Sequence, residues 1–138
     1  MITYEKVLVL KNVPLFENAS ELALSDLISV AEERMLKPGE VFLTEKQENT
    51  FLYVVLSGLI EMIRHKQVVQ EFGPRQLIGE VTVFSPASLN AELKAKEKTF
   101  VLRISAEQLY RVMALHPTLA FSFLEELSRR VRLAEKKD

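Results

Sequence analysis

His65 and His116 are the only imidazoles of the chain, and there is no cysteine. A metal site needs imidazole, thiolate or carboxylate ligands at close, characteristic spacing. His65 falls in a turn between two apolar β runs, and His116 precedes Pro117 at a helix junction. The two share no ligand spacing, and each reads as a surface histidine. Lack of cysteine removes disulfides, thiolate zinc and a cysteine nucleophile together. The serines show no Gly-x-Ser-x-Gly signature, and neither HExxH nor a Walker loop occurs. Acidic residues are plentiful but fall mainly on helix faces and turns, as solvated charges do. The sequence therefore predicts no catalysis, no metal and no resident cofactor.

Size and charge narrow the class further. The chain has 138 residues with a net charge of -1. That length buries about 68% of the unfolded surface, enough for one core without staples. No linker, repeat or low-complexity segment interrupts it, so residues 1–138 are expected to form one domain. A nucleic-acid binder would carry a basic excess or a basic face. The N-terminus carries Glu5 before any long apolar run, unlike a signal peptide. No apolar stretch reaches the roughly 20 residues a membrane span requires. The lack of cysteine suits a reducing compartment, and a cytoplasmic location is expected.

These residues must be positioned by elements whose order is legible. Val7, Leu8 and Leu10 predict a short opening helix that Thr3 could cap. Ser20 is an N-cap for a second helix, predicted to run to about Arg34 on the spacing of Leu24, Leu27, Ile28 and Ala31. The texture then turns to β. Val41–Leu43, Phe51–Leu56, Leu59–Ile63, Val68–Phe72 and Thr99–Ile104 read as strands. His65-Lys66-Gln67 reads as a turn. Ala91, Leu93 and Ala95 alternate with charged residues, the period of a half-buried strand. Ser105 caps a helix to about Leu115, and a last helix follows Pro117. Helices, then strands, then helices make an α+β chain with a β core, in which short strands favour a sandwich, barrel or jelly roll.

Four segments together resemble a cyclic-nucleotide-binding domain. They are Lys37-Pro38-Gly39-Glu40, the run from Phe51 to Glu61 containing Ser57-Gly58, Phe72-Gly73-Pro74 followed by Ile78-Gly79-Glu80, and Val101-Leu102-Arg103-Ile104-Ser105 before two helices. All 4 glycines stand where that family places one. The resemblance covers about Leu15 to Arg132. It implies a double-stranded β-helix, or jelly roll, flanked by N-terminal and C-terminal helices, and a regulatory role. It also implies a phosphate-binding cassette in which Gly79 is the cassette glycine and Glu80 accepts from the ribose hydroxyl. Val81, Thr82, Val83 and Phe84 would form a short helix whose amides face the cyclic phosphate.

The family's phosphate arginine falls on Leu89, and its small pair on Asn90 and Ala91. A one-residue slip would bring in Ser88 or Asn90, and neither is a cation. Arg75, standing where the family often has a second glycine after Gly-Pro, is the candidate substitute. Lys94 should point away, since Leu89, Ala91, Leu93 and Ala95 share one face. Burying an anion without a cation requires other donors to replace water. Two readings follow. In the favoured one, cyclic AMP and cyclic GMP bind weakly or not at all, and the domain is structural or docking. In the other, a cyclic nucleotide or another small molecule is held in the same pocket by substitute contacts.

The last helix carries an apolar stripe that includes Phe123, Leu124, Leu127 and Val131. In the family this helix either lids the pocket or forms a dimer seam. The expected partners are a second copy along this helix or other domains of a longer protein. No helix-turn-helix follows it, so no DNA contact by this chain is expected, and no membrane insertion.

Overall fold

The computed structural model describes residues 2–136. Helix α1 (Thr3–Lys11) leads through a 3-10 turn (Pro14–Phe16) into α2 (Glu21–Val30). Ten strands follow: β1 (Glu32–Leu36), β2 (Val41–Leu43), β3 (Glu48–Asn49), β4 (Phe51–Ser57), β5 (Ile60–Arg64), β6 (Gln67–Phe72), β7 (Leu77–Ile78), β8 (Ala87–Ser88), β9 (Glu92–Ala95) and β10 (Thr99–Ser105). Helices α3 (Ala106–Leu115) and α4 (Pro117–Glu135) close the chain. The α+β expectation and the jelly-roll order of strands both hold.

The strands pair antiparallel into two sheets, β1-β10-β4-β7 and β2-β9-β5-β6, with a small β3-β8 ladder beside them. One core lies inside the roll, between the sheets, and includes Leu36, Tyr53, Val55, Ile60, Leu93 and Val101. The other lies between the first sheet and the helices, and includes Phe16, Leu24, Leu52, Val54, Leu102, Ile104 and Phe123. Alternate residues of β4 and β10 thus enter opposite cores. Burial on both faces explains why these two strands read as near-continuous apolar runs rather than as alternation. Strand β9 shows the alternation expected of it: Leu93 and Ala95 are fully buried, as is Ala91 just before it.

Ser20 and Ser105 act as the N-caps foreseen for them, their hydroxyls accepting from the amides of Ala23 and Gln108. Three expectations fail. Thr3 is the first residue of α1 and not its cap; Ile2 holds that place with no side-chain hydrogen bond. Helix α2 ends at Val30, short of Arg34, because Glu32–Leu36 pairs with β10 in full register from Glu32↔Arg103 to Leu36↔Thr99. Helix-forming Glu, Arg, Met and Leu side chains give way there to a sheet edge with unpaired hydrogen bonds, a tertiary override of weak local propensity. Finally, residues 81–84 make a turn closed by one bond, from the Val83 amide to the Gly79 carbonyl, and no regular helix.

Candidate functional site

The segment from Gly79 to Ala91 leaves β7, doubles back through the β8 ladder and enters β9. Its start is fixed by a buried amide that the sequence did not single out. Asn49 is 1% exposed. Its Nδ2 donates to the Phe51 carbonyl at 2.8 Å and to Thr82 Oγ1 at 2.9 Å, and its Oδ1 accepts from the Phe51 amide at 3.2 Å. A buried amide satisfied on both ends holds Thr82 and the turn in one place. Gly79 crosses directly over it with φ +91°.

A cavity of about 160 Å³ opens beside this turn. Met62, Phe72, Ile78, Val81 and Leu89 supply its apolar wall, and Gln70, Glu80 and Thr82 its polar atoms. It is smaller than the roughly 300 Å³ at which small-molecule pockets begin. Among the described residues Glu80 is its only charged lining residue, and no lysine, arginine or histidine lines it. Leu89 packs against the core inside the roll. An anion placed in this cavity would meet an apolar wall and a carboxylate. The carbonyls of Leu89 and Asn90 accept from Arg64 on β5, Nη2 to Leu89 at 3.1 Å and Nε to Asn90 at 2.9 Å. Asn90 itself sits at φ 54° with its amide on Ser88 Oγ.

Glu80 is engaged by the chain's own C-terminal helix. Arg130 of α4 donates to its carboxylate and also to Glu126 Oε1 at 3.0 Å. Arg129 donates to the same Glu126 carboxylate at 2.7 and 3.3 Å. The Glu80 hydrogen bond raises the Arg130 pKa first, against desolvation, with Glu126 adding to it. Two turns back on α4, Phe123 packs edge-on against Phe84 of the cassette turn, with ring centroids 5.0 Å apart. One face of α4 therefore grips the cassette at both ends, through a ring pair and an ion pair.

The Glu126 carboxyl lies below its ordinary value of 4.5, held down first by the Arg129 hydrogen bond and then by Arg130, against desolvation that pushes it up. A lowered folded pKa means the network's stabilisation is present above pH 4.5 and is lost as pH falls through the folded value. The pair is largely solvated, so water and salt screen it and its contribution is small. We expect the helical ¹³Cα shifts of residues 126–135 to weaken on acidification below pH 4.5 before those of β4 change. A helix end as ordered at about pH 3 as at neutrality would show that the carboxylates do not hold it.

The sequence-derived residues divide in their placement. Gly79, Glu80, Val81, Thr82 and Leu89 line one cavity, with Asn90 and Ala91 following in the same segment. Arg75 does not line it. Its left-handed φ of 72° in the turn after Gly73 points to a neighbouring cleft with Arg129 and Arg130. The α4 stripe splits: Phe123 is buried, Leu127 half-buried, and Leu124 and Val131 are 61% and 59% exposed. His116 binds Asp26 at 2.7 Å, tying the α3–α4 junction to α2, while His65 sits in the β5–β6 hairpin at φ 53°. Among the described residues no group of three or more metal-ligating side chains occurs, and no helix is long and apolar enough to cross a membrane. Sequence reasoning missed Asn49, Arg64 and Arg130. Only Arg130 carried a local signal, its spacing from Glu126, and nothing local joins it to Glu80.

Two stacked sheets, a Gly-Glu cassette between β7 and β9, and a helix laid across it define a β-roll domain with a helix-covered cassette. The family model for the cyclic nucleotide-binding domain matches residues 33–116, and the chain belongs to that family. It is 25% identical over 131 residues to the cyclic AMP receptor protein of Thermus thermophilus, covering 91% of this chain and 61% of that one. It is 29% identical over 115 residues to the voltage-gated delayed rectifier potassium channel KCNH8 of Mus musculus, covering 82% of this chain and 10% of the channel. The chain thus spans only part of the curated relatives it matches. Among solved structures, the N-terminal domain of a transcriptional regulator from Streptomyces coelicolor A3(2) superposes with a TM-score of 0.85 at 25% identity, covering 94% of both chains. The C-linker and cyclic-nucleotide-binding-homology region of zELK channels, crystallised in the presence of cAMP, gives 0.75 at 28% identity, over 87% of this chain and 62% of that one.

Proposed function

We propose that this chain is a regulatory module that does not use cyclic AMP or cyclic GMP as its signal, and that acts without catalysis as a structural or docking domain. One observation carries the reading. Leu89 stands at the phosphate-arginine position in a cavity with no lining cation, while Arg130 of α4 already engages Glu80, the residue matched to ribose binding. A cyclic phosphate carries a negative charge that would be desolvated there without an opposing group. The uncovered α4 face around Leu124 and Val131 suits a second copy or a neighbouring domain of a longer protein, in the cytoplasm and without DNA contact of its own.

The Arg64 guanidinium supports a second reading. It lies on the carbonyls of Leu89 and Asn90, so a cation sits within reach of the cassette backbone from the adjacent strand. In that reading a nucleotide is held by substitute contacts. Calorimetric titration with cyclic AMP and cyclic GMP separates the two. We expect no heat up to about a millimolar, a binding free energy weaker than about -4 kcal/mol. Micromolar binding that disappears in Arg64→Ala would overturn the docking reading in favour of the second.

A further inference from the structure

Beside the cassette cavity lies a larger cleft of about 320 Å³, bounded by the 3-10 turn, the β6–β7 turn and α4. Its floor is apolar, with Val13, Leu15, Phe72 and Leu77. Its rim gathers Arg75, Arg129 and Arg130 against Glu80 and Glu126. Three guanidinium groups against two carboxylates leave one positive charge uncancelled. Arg129 and Arg130 are both committed to those carboxylates. Arg75 has no ion-pair partner among the described residues, so the uncancelled charge resides on it.

Arg75 is also held in an unfavourable backbone state. It is the third residue of the turn closed by the Gln76 amide on the Gly73 carbonyl at 3.2 Å, following Pro74. That position of such a turn, at φ 72°, is normally glycine or asparagine. Its own amide donates to the Val55 carbonyl at 2.8 Å, which fixes the turn on β4. The turn therefore holds the arginine at one fixed place on the rim of the cleft, in a backbone state that is costly for a residue other than glycine.

We propose that this cleft binds a small amphipathic organic anion, its charged group on Arg75 with Arg129 alongside, and its apolar body on Phe72, Leu77 and Leu15. The anion pairs with the exposed Arg75 guanidinium without separating Glu80 from Arg130. Arg75 belongs to the roll and Arg129 to α4, so such a ligand would contact both elements at once. Carboxylate and phosphate-ester head groups share the required chemistry, because a guanidinium pairs with either through two parallel hydrogen bonds.

The test is a ¹⁵N NMR titration of the full chain with benzoate, phenyl phosphate and inorganic phosphate. Saturable shifts with either aromatic anion, centred on Arg75, Leu77 and Arg129, are expected. Arg75→Asn removes the charge while tolerating the left-handed backbone, so the variant should melt like the parent and bind at least about tenfold more weakly. Leu89→Ala, in the cassette cavity, should leave the affinity unchanged, which separates this site from the one discussed above. Absence of saturable shifts, or equal affinity in Arg75→Asn, overturns the proposal. Inorganic phosphate binding as well as the aromatic anions would overturn the amphipathic ligand class.

Discussion

Replacing Gly79 with alanine should destabilise the protein by about 2–4 kcal/mol, the sum of a left-handed backbone cost and forced overpacking. A Cβ built there lies 2.4 Å from Asn49 Nδ2 and 2.5 Å from the Phe51 carbonyl oxygen. Neither neighbour can yield cheaply. Asn49 is buried and bonded to Phe51 and Thr82, and the Phe51 carbonyl belongs to β4, the strand shared by both cores. Gly39→Ala is the control. It is equally left-handed, at φ +82°, but has nothing within 4 Å of the new methyl. It should cost only the backbone component, about 1–2 kcal/mol. For a domain of this size the Gly79 variant should melt roughly 10 °C lower than wild type. Thermal melts of both variants check this, and equal melting points would mean that the close approach over Asn49 does not confine Gly79.

The second large effect concerns the ligand. Leu89→Arg should raise cyclic-nucleotide affinity by roughly two to four powers of ten, from two charge-assisted hydrogen bonds at about 1.5–3 kcal/mol each. Structure favours the substitution in one respect, since Arg64 already anchors the carbonyls of residues 89 and 90 and so fixes the point from which a new guanidinium would reach. Arg130 opposes it by holding Glu80. Adding Arg130→Ala should therefore increase the gain further. Calorimetry on the single and double variants gives the measurement. A double variant that folds normally yet binds neither nucleotide would show that the apolar cavity around Met62, Val81 and Phe72 rejects the ligand independently of residue 89.

The order of elements and the inward faces of the strands were legible because burial writes a local pattern. Leu52, Val54 and Leu56 on one side and Tyr53 and Val55 on the other make β4 apolar throughout, and Leu93 and Ala95 alternate with charge because one face is wet. Ser20 and Ser105 were legible because a hydroxyl accepting from an amide three residues on is a contact within one turn. Residues 32–36 were not, because their side chains suit a helix and only the edge of β10 makes a strand of them. The cassette turn failed as a helix for a related reason: Thr82 and Gly79 answer to Asn49, some thirty residues upstream.

By itself the sequence determined a β-roll pattern with capped helices on either side, and that the position matched to the phosphate arginine is leucine. Each rests on residue identity or on spacing within a few residues, where side-chain periodicity mirrors the local backbone. Tertiary structure decided who touches Glu80 and where the spare positive charge lies. Arg130 reaches Glu80 across fifty residues of chain, and Arg75 turns away from the cassette into the cleft beside α4. Such pairings depend on how α4 packs through Phe123 onto Phe84 and Phe16, a long-range contact that no local spacing records.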